Sequence, residues 1–430
     1  MNEPLTKIKT KVPAVGAEAV GSGNMLHVKQ RNVPINLKQS GNSDAQMLIS
    51  TRVRKSPFWH LSHREGCWAY TVYNHMYHPR AYVRPEDGGL MKEYEYLTQG
   101  VTMWNVAVER QIRVKGPDAA NFVDLLITRD VHKKVPVGQA RYVILCDKNG
   151  GIINDPVLLR VAEEEFWFSI ADSDVLLWAN GVNYKTGYDV AIDEIDVSPV
   201  QIQGPKSKDL MGKLFGSKVL EISYYGLLET NLDNLSVVIS RTGFSGELGF
   251  EIYLRDATLH ADELWNAVKE AGAEFGLKVI APSHIRRLEA GILSYGQDMD
   301  LETNPYEVGL GWQVDLSKKD FIGRDALQKI KEEGVTQKLV GLKMGGAPIT
   351  WYNEDFWIVT NLSDVPVGYI TSAFWSPTLE INIALATLPV TSSDVGTKLK
   401  AVLPEATVDA EVVPTPFKDP DKGIPKQALG

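Results

Sequence analysis

The chain has 430 residues, more than one ordinary hydrophobic core holds, and this length predicts two or three structural modules. A net charge of -9 with scattered Lys and Arg gives no basic face, which argues against a nucleic-acid partner. Two distant cysteines, Cys67 and Cys146, argue against a disulfide framework or a zinc site and favour a reducing, cytoplasmic setting. No stretch approaches the roughly 18 apolar residues of a membrane span, and no secretory signal is recognisable, so no membrane partner is expected.

The first third of the chain changes from a polar extension to a structured region. Residues 1–48 lack apolar periodicity and are predicted to be a loosely ordered extension. The stretch WAYTVYNHMYHPRAYV, residues 68–83, alternates in the manner of a strand. The stretch GPDAANFVDLLI predicts a helix. Its apolar face consists of Ala119, Phe122, Val123 and Leu126.

Two hairpins are predicted in the middle of the chain. The first is ARYVILCDKNGGIINDPVLLRV, in which residues 148–151 form an Asn-Gly turn between two strand runs. The strand EFWFSIA and a helix in DSDVLLWANGVN, with aspartates as candidate N-caps, come next. The stretch RTGFSGELGFEIYL, residues 241–254, forms the tip of the second hairpin.

The last part of the chain predicts helices followed by a small all-β domain. One helix has Leu264, Val268, Ala271 and Phe275 on its apolar face, and another lies in IRRLEAGIL. From about Lys338, short strands such as KLVGLKM, VGYITSA and INIALATL alternate with turn signals. The predicted class is α+β, with two interleaved α+β modules over residues 49–337 and a β-barrel-like domain over residues 338–430.

Several kinds of chemistry lack their sequence signals. The GSG at residues 21–23 precedes no helix, no phosphate-binding G-x-x-x-x-G-K-[ST] occurs, and Ser245 is not in a G-x-S-x-G. No metal-ligand cluster or flavin fingerprint is present, so neither a metal nor a flavin is expected. Carboxylates beside aromatic residues remain. Asp155 can orient or deprotonate an amine, but a simple Asn-Asp-Pro turn explains it equally well, and Glu247 equally fits a solvated hairpin tip.

Several stretches together resemble the aminomethyltransferase (glycine cleavage T-protein) family over roughly residues 100–420. They are GQARYVILCDKNGGIINDPV, RTGFSGELGFEIYL, RRLEAGILSYGQDMDLETNPYEVGLGW, DFIGRDAL and VGYITSAFWSP. The resemblance implies a three-domain, clover-like fold around a central folate cavity, with a C-terminal β-barrel. It also implies tetrahydrofolate as the one-carbon acceptor.

Within this family, RVRKSPF, YTVYNHM and WNVAVERQIRVKGPDAANFVDLLITRDV resemble the tetrahydrofolate-dependent dimethylsulfoniopropionate demethylases, which extends the resemblance back to about Ser50. This implies methyl transfer from a sulfonium to N5 of tetrahydrofolate, giving 5-methyltetrahydrofolate and a thioether. Three alternatives stay open: an O-demethylase of methoxy-aromatic acids, an N-demethylase of a methylated amine, and a non-catalytic folate-binding protein. The oligomeric state also stays open, with a homodimer as one option.

The resemblance assigns site residues by position. Asp155 matches the acid next to folate N5, and four residues match the folate site: Tyr142, Glu247, Arg287 and Trp312. Phe244 stands where the family commonly has tyrosine; it keeps a stacking surface and loses one hydrogen bond, about 0.5–1.5 kcal/mol if that bond was made. Glu251 alternates away from its apolar neighbours in the strand and is expected to be structural.

A sulfonium donor is favoured over aromatic faces, as a quaternary ammonium is. Four aromatic residues are candidates for such a cage, and each is equally explained as core: Tyr70, Tyr73, Trp104 and Trp178. Three arginines are candidates for binding a donor carboxylate: Arg52, Arg54 and Arg80. His75 is a candidate polar ligand or a structural residue, and for an ether donor Tyr73 or His75 would supply the acid.

Overall fold

The computed structural model describes residues 51–353 and 356–429, and the predicted extension 1–48 lies outside this part. The strands are β1 (Ala69–Tyr73), β2 (Met76–Ala81), β3 (Thr102–Asn105), β4 (Gln111–Lys115), β5 (Gln139–Tyr142), β6 (Leu145–Cys146), β7 (Ile152–Asn154), β8 (Val157–Ala162), β9 (Glu165–Ser169), β10 (Ala191–Glu194), β11 (Val197–Gln203), β12 (Leu227–Leu232), β13 (Leu235–Ser240), β14 (Gly249–Arg255), β15 (Lys278–Val279), β16 (Gln337–Met344), β17 (Trp357–Thr360), β18 (Pro366–Ser376), β19 (Ile381–Pro389), β20 (Lys398–Val402) and β21 (Thr407–Val413).

The α-helices are α1 (Trp59–Arg64), α2 (Gly89–Gln99), α3 (Ala119–Leu126), α4 (Val131–Lys134), α5 (Val175–Thr186), α6 (Ser207–Phe215), α7 (Ala257–Gly272), α8 (His284–Glu289), α9 (Arg324–Glu333) and α10 (Gly423–Lys426). Short 3-10 helices span Pro85–Asp87, Ser217–Glu221, Ala273–Phe275, Gly311–Gln313 and Val390–Ser392. No helix of the described part is long and apolar enough to cross a membrane.

A six-stranded sheet has the order β12-β13-β14-β11-β3-β15 and is antiparallel except at β15. Helix α7 packs on one face of this sheet, because its apolar stripe at Leu264 and Val268 meets Ile202 and Phe250 from the strands. β13 and β14 pair as the predicted second hairpin, and the loop of residues 241–248 connects them. The opposite face carries polar side chains such as Gln201 and Glu251. It also carries Val197, Val238 and Tyr253, which pack against Leu159 and Trp167 of the other sheet.

A five-stranded sheet has the order β10-β4-β9-β8-β5, and helices α3 and α5 cover it. All four apolar residues that predicted α3 are buried in this core. The Asp174 side chain caps α5 by accepting a hydrogen bond from the Leu177 N–H at 3.0 Å, as expected of an N-cap aspartate. The predicted first hairpin is more segmented than its sequence indicates: its turn joins only the short β6 and β7, while β5 pairs with β8.

The stretch of residues 68–83, predicted as one strand, is a hairpin of β1 and β2. Its turn lies at Asn74 and His75, whose φ angles are 49° and 60°. Asn74 tolerates this left-handed conformation, and its side chain donates hydrogen bonds to the carbonyls of Val108 and Ile170. The turn carries no Gly or Pro, so the periodicity of the flanking residues continued across it and concealed it.

The C-terminal strands form a closed barrel in the order β16-β19-β18-β17-β20-β21, with β16 also paired to β21. Its core contains Leu342, Val359 and Ile370. The predicted α+β class with a C-terminal barrel is therefore confirmed. The domain boundaries remain predictions; the first barrel strand begins at Gln337 and the last ends at Val413. A shared apolar cluster joins the barrel to α2 and α8, so the three units enclose common space.

Candidate functional site

A cavity of about 410 Å³ lies where the β1–β2 hairpin, both sheets and the barrel meet. Its walls include β2, the strand ends around Asp155, the outer face of β14, the segment after α8, and Leu385 from the barrel. This volume is in the range of ligand pockets, and aromatic and apolar side chains with a few converging polar groups are the usual lining of such pockets. The cavity is therefore the candidate active site.

Asp155 lies in the cavity wall immediately after β7, where the sequence predicted an acid at the mouth of a core. Its Oδ2 accepts a hydrogen bond from the Tyr142 hydroxyl at 2.8 Å, while its buried Oδ1 has no partner among the described residues. Burial raises the pKa of Asp155 to about 7, although the hydrogen bond from Tyr142 opposes the rise. Asp155 is therefore poised near neutral pH with one acceptor atom unused.

The carboxyl groups of Glu109 and Glu251 also lie in the cavity wall. Glu251 is 2% exposed and accepts hydrogen bonds from Gln201 at 2.8 Å and from the Tyr253 hydroxyl. Glu109 accepts a hydrogen bond from the Ser169 hydroxyl at 3.0 Å. Burial raises the pKa of both carboxyl groups, and for Glu109 the neighbouring Glu251 raises it further.

Arg80 is the cation on β2 that lines the same cavity. Its Nη1 makes a short hydrogen bond to Nε2 of His284, and its guanidinium lies 4.8 Å from the centre of the Tyr352 ring. Tyr352 also donates a hydrogen bond from its hydroxyl to the Arg80 carbonyl at 2.9 Å. The remaining two candidates for the carboxylate lie elsewhere: Arg54 pairs with Glu194, and Arg52 is exposed outside the cavity lining.

With Arg80, the structure brings six of the predicted site residues together in the cavity lining. The other five are Tyr73, Tyr142, Asp155, Phe244 and Trp312. Phe244 contacts the His284 ring edge-on, with the ring centres 6.3 Å apart. Trp312 is 64% exposed and has Arg129 over its ring at 5.1 Å, so it lies at the mouth and not deep inside. The ring centres of Tyr73 and His78 are 5.6 Å apart. Burial, and to a lesser degree the charge of Asp155, raises the pKa of Tyr73, so its phenol stays protonated.

Glu247 and Arg287 lie outside the lining of this cavity. Glu247 accepts a hydrogen bond from Arg286 Nε at 2.6 Å, beside a smaller neighbouring pocket. Arg287 pairs with Asp298 at 2.5 Å and donates to the Ser372 hydroxyl in the barrel at 2.8 Å. Both predicted folate ligands are thus buried members of ion pairs that join the units of the fold.

Glu251, expected to be structural, lies in the cavity lining instead of Glu247. The alternation along β14 was read correctly, because Glu251 faces away from the sheet core that holds Phe250 and Ile252. What it faces is the central cavity, which strand periodicity alone does not distinguish from another core or from solvent. A buried acid on the second face of an otherwise apolar strand was the signal available in the sequence.

The other predicted donor ligands do not line the cavity. Trp104 is fully buried and donates to the Thr102 hydroxyl at 2.9 Å, and Trp178 packs against the core under α5. Tyr70 packs beside Cys67 in a small satellite core. His75 is exposed at the tip of the β1–β2 hairpin. The three aromatic residues pack in cores, as the alternative given for each of them describes, and His75 lies outside the cavity lining.

The sequence singled out neither Glu109 nor His284 as a site residue. Glu109 lies in the loop after β3, within a stretch that carries the family resemblance but to which no site role was assigned, and His284 begins the short helix α8. Both enter the site because distant strands bring them to one cavity.

Two family models cover most of the chain: the GCVT N-terminal domain matches residues 59–318 and the glycine cleavage T-protein C-terminal barrel domain matches residues 337–419. The chain belongs to the aminomethyltransferase family. Members of this family are folate-dependent methyl- and aminomethyl-transferases, so the chain is an enzyme of that class, with tetrahydrofolate as the one-carbon acceptor or carrier. The resemblance inferred from the sequence motifs is thereby confirmed.

Among the family's members, the dimethylsulfoniopropionate demethylase of Ruegeria pomeroyi is 36% identical over 362 residues, covering 84% of this chain and 96% of the relative. The aminomethyltransferase of Thermotoga maritima is 36% identical over 337 residues, covering 76% and 89%. The crystal structure of aminomethyltransferase T from Bartonella henselae aligns with a TM-score of 0.75 at 22% identity, over 85% of this chain and 98% of that one. This structural likeness shows the fold.

Proposed function

We propose that this enzyme transfers a methyl group from a sulfonium of the dimethylsulfoniopropionate type to N5 of tetrahydrofolate, in the cavity around Asp155. The observation that carries the proposal is the Asp155–Tyr142 pair, whose unpartnered Oδ1 lies in a cavity that also contains an aromatic wall and a cation. The similarity to the dimethylsulfoniopropionate demethylase of Ruegeria pomeroyi supports this choice of donor.

The cavity fits a folate by its chemistry. A pterin ring carries several N–H donors and two flat faces, and the cavity offers the carboxylates of Asp155, Glu109 and Glu251 beside aromatic rings. In our proposal Asp155 and Tyr142 lie next to N5 of the folate. Glu251 binds the pterin ring in place of Glu247, and Phe244 stacks on that ring. Trp312 borders the opening.

Asp155 acts as a proton acceptor in this proposal. When bound, tetrahydrofolate supplies N5, which accepts the methyl group and releases one proton. The electron pair of the broken C–S bond stays on sulfur, so the donor leaves as a neutral thioether and needs no acid. Oδ1 of Asp155 takes the released proton, and its pKa of about 7 suits a base that works near neutral pH.

The cavity favours a cationic donor. Three carboxyl groups lie in its wall, and the rings of Tyr73 and Tyr142 line it, so a sulfonium meets carboxyl oxygens and aromatic faces. Each aromatic contact contributes about 0.5–2 kcal/mol. Holding the sulfonium methyl and the acceptor nitrogen in line would supply most of the acceleration, because the sulfonium is already a good leaving group.

A methoxy-aromatic acid is the second candidate donor, and Tyr73 is the observation that favours it. An ether oxygen is a poor leaving group unless a proton reaches it. Burial raises the pKa of Tyr73, so its phenol stays protonated in the cavity and is available to donate. His75 is on the exposed hairpin tip and does not serve this purpose.

One assay separates the candidates. The purified enzyme is incubated with tetrahydrofolate and one donor at a time: dimethylsulfoniopropionate, a methoxybenzoate or a methylated amine, with 5-methyltetrahydrofolate and the demethylated product both quantified. We expect turnover with the sulfonium. Turnover with the methoxybenzoate alone would overturn the sulfonium proposal, and folate binding without turnover of any donor would leave a non-catalytic folate-binding protein.

A further inference from the structure

We propose that Arg80 and His284 form the binding site for a carboxylate at the end of the methyl donor opposite its reacting methyl group. This inference rests on the proposed methyl transfer and adds the requirement that the donor carry a carboxylate. Neither residue belongs to the Asp155–Tyr142 pair, so the two ideas can fail separately.

Arg80 has no carboxylate within ion-pair distance among the described residues, and Asp172 is a more distant electrostatic neighbour. The ion pairs of the neighbouring elements involve other arginines: Arg54 and Arg110 pair with Glu194, and Arg287 pairs with Asp298. The side-chain contacts of Arg80 within the described chain are the His284 nitrogen and the Tyr352 ring. Buried charges are costly unless paired, and an unpaired one that lines a cavity is a functional-site candidate.

His284 supplies a second donor. A guanidinium only donates hydrogen bonds, so Nε2 of His284 must be the acceptor in its contact with Arg80. Burial, and then the charge of Arg80, lowers the pKa of His284, so the imidazole is neutral and carries its proton on Nδ1. That Nδ1 is buried and has no hydrogen-bond partner within residues 51–353 and 356–429. Arg80 and His284 therefore offer N–H groups that a bound ligand with acceptor oxygens can satisfy.

The ligand class follows from these donors. A guanidinium fork binds a planar carboxylate with two parallel hydrogen bonds, whereas a neutral amide offers a single acceptor oxygen and no charge. The Tyr352 ring holds the guanidinium from one side, which fixes its orientation. A small carboxylate matches the set better than a neutral or cationic group does.

The position along the hairpin matches a donor with charges at its two ends. Arg80 and His78 share one face of β2, because they are two residues apart, and His78 contacts Tyr73 across the hairpin. Tyr73 in turn is an electrostatic neighbour of both Asp155 and Arg80. One short molecule lying along Tyr73 can thus have its methyl group near Asp155 and its carboxylate at Arg80.

Folate is the other source of a carboxylate, through its glutamyl tail. Two matched ligand pairs separate the sources in the wild-type enzyme. They are dimethylsulfoniopropionate against its carboxamide, and tetrahydrofolate against tetrahydropteroate, which lacks the glutamate. We expect kcat/KM to fall about 100-fold for the carboxamide and to change much less for tetrahydropteroate. The reverse pattern would assign Arg80 to the folate tail and overturn the proposal.

The variant Arg80→Gln sharpens the test. We expect it to lose about 100-fold in kcat/KM for dimethylsulfoniopropionate, to leave kcat/KM for the carboxamide nearly unchanged, and to leave the KM for tetrahydrofolate unchanged. Arg54→Gln is the matched control, because it makes the same change at an arginine that pairs with Glu194 outside the cavity lining. Equal losses for both donors would overturn the anchor and leave the methyl transfer standing.

Binding of the thioether product, 3-(methylthio)propionate, tests the anchor without turnover. Titration calorimetry of the wild-type enzyme should detect this carboxylate and should show at least about tenfold weaker binding of its carboxamide. If no sulfonium is demethylated, the proposed function fails, and this titration still decides the anchor. Equal affinity for acid and amide, or binding of neither, would overturn it.

Discussion

Two groups of charged side chains lie within the same fold and differ in their pairing. In the first, which is buried, Arg286 pairs with Glu247 and Arg287 pairs with Asp298, so each charge has an opposite one beside it. In the second, which lines the central cavity and is partly exposed, Asp155 and Arg80 have no ion-pair partner among the described residues. The sequence motifs alone do not show which charged residue belongs to which group.

The comparison teaches that pairing with an opposite charge separates the residues that hold this fold from those that face a ligand. The paired group joins α8 to the barrel, because Arg287 also donates to Ser372, although Arg286 Nη1 and Arg287 Nε have no hydrogen-bond partner among the described residues. The cavity group retains acceptor and donor atoms, such as Asp155 Oδ1 and His284 Nδ1, that water or a ligand must satisfy. The predictions below test this division, beginning with the largest expected effect.

Breaking the paired group should cost the most stability. Arg287→Met leaves the buried Asp298 without its counter-charge and should lower the free energy of unfolding by about 3–5 kcal/mol. Thermal and denaturant midpoints measure this loss. The double variant Arg287→Met/Asp298→Asn removes both charges and should recover part of it. Unchanged midpoints in the single variant would return Arg287 to the list of folate ligands.

Removing the charge of Asp155 should act in the opposite direction on stability. The folded-state pKa of about 7 lies above the usual value, so the native state holds more protons than the unfolded one from about pH 4 to 7, and stability falls as pH rises. At pH 8 the free energy of unfolding of Asp155→Asn should therefore be about 2–4 kcal/mol higher than that of wild type. The difference should disappear below about pH 4. A less stable variant at pH 8 would show that the charge is satisfied.

The same substitution should remove most of the activity while folate binding is retained. We expect kcat to fall about 100-fold or more in Asp155→Asn, because Oδ1 no longer accepts the proton. Asp233→Asn is the matched control, since Asp233 lies in an exposed turn between β12 and β13. Steady-state assays with saturating folate measure both variants. An unchanged kcat would remove Asp155 from the mechanism.

The pH profile should report the same group. In wild type, kcat/KM should rise about tenfold per pH unit up to about pH 7 and then level off, because the ionised carboxylate is the active form. The residual activity of Asp155→Asn should follow a flatter profile in that range. A wild-type profile that falls from pH 5 to 8 would contradict a base of this pKa.

The smallest effect is expected at Phe244. Phe244→Tyr adds the hydroxyl that the family commonly carries, at a position in the cavity wall beside His284. One hydrogen bond contributes about 0.5–1.5 kcal/mol, so KM values for folate and donor should change by less than about tenfold. Kinetics with both substrates measure this. A complete switch of donor preference would make Phe244 the residue that selects the donor.

The sequence was most informative where local patterns carried the information. The helix α3, the capped helix α5, the hairpin of β13 and β14, and the barrel strands all follow from periodicity and turn chemistry. It was least informative where one residue's role depends on what lies across from it. Glu247 and Glu251 are four residues apart, and their roles differ because of what each one contacts. Glu247 pairs with Arg286, whereas Glu251 lines the cavity.

The sequence by itself determined the α+β class with its terminal barrel and membership of the aminomethyltransferase family, and it predicted Asp155 and Tyr142 as site residues. Those depend on short-range patterns and on motifs in a fixed order. Only the tertiary structure decided which aromatic, acidic and basic residues share the cavity, so that Tyr73 and Arg80 line it while Trp104 and Arg287 do not. The physical reason is that burial and pairing are properties of residues brought together from distant strands, and a single strand's alternation does not reveal what its second face meets.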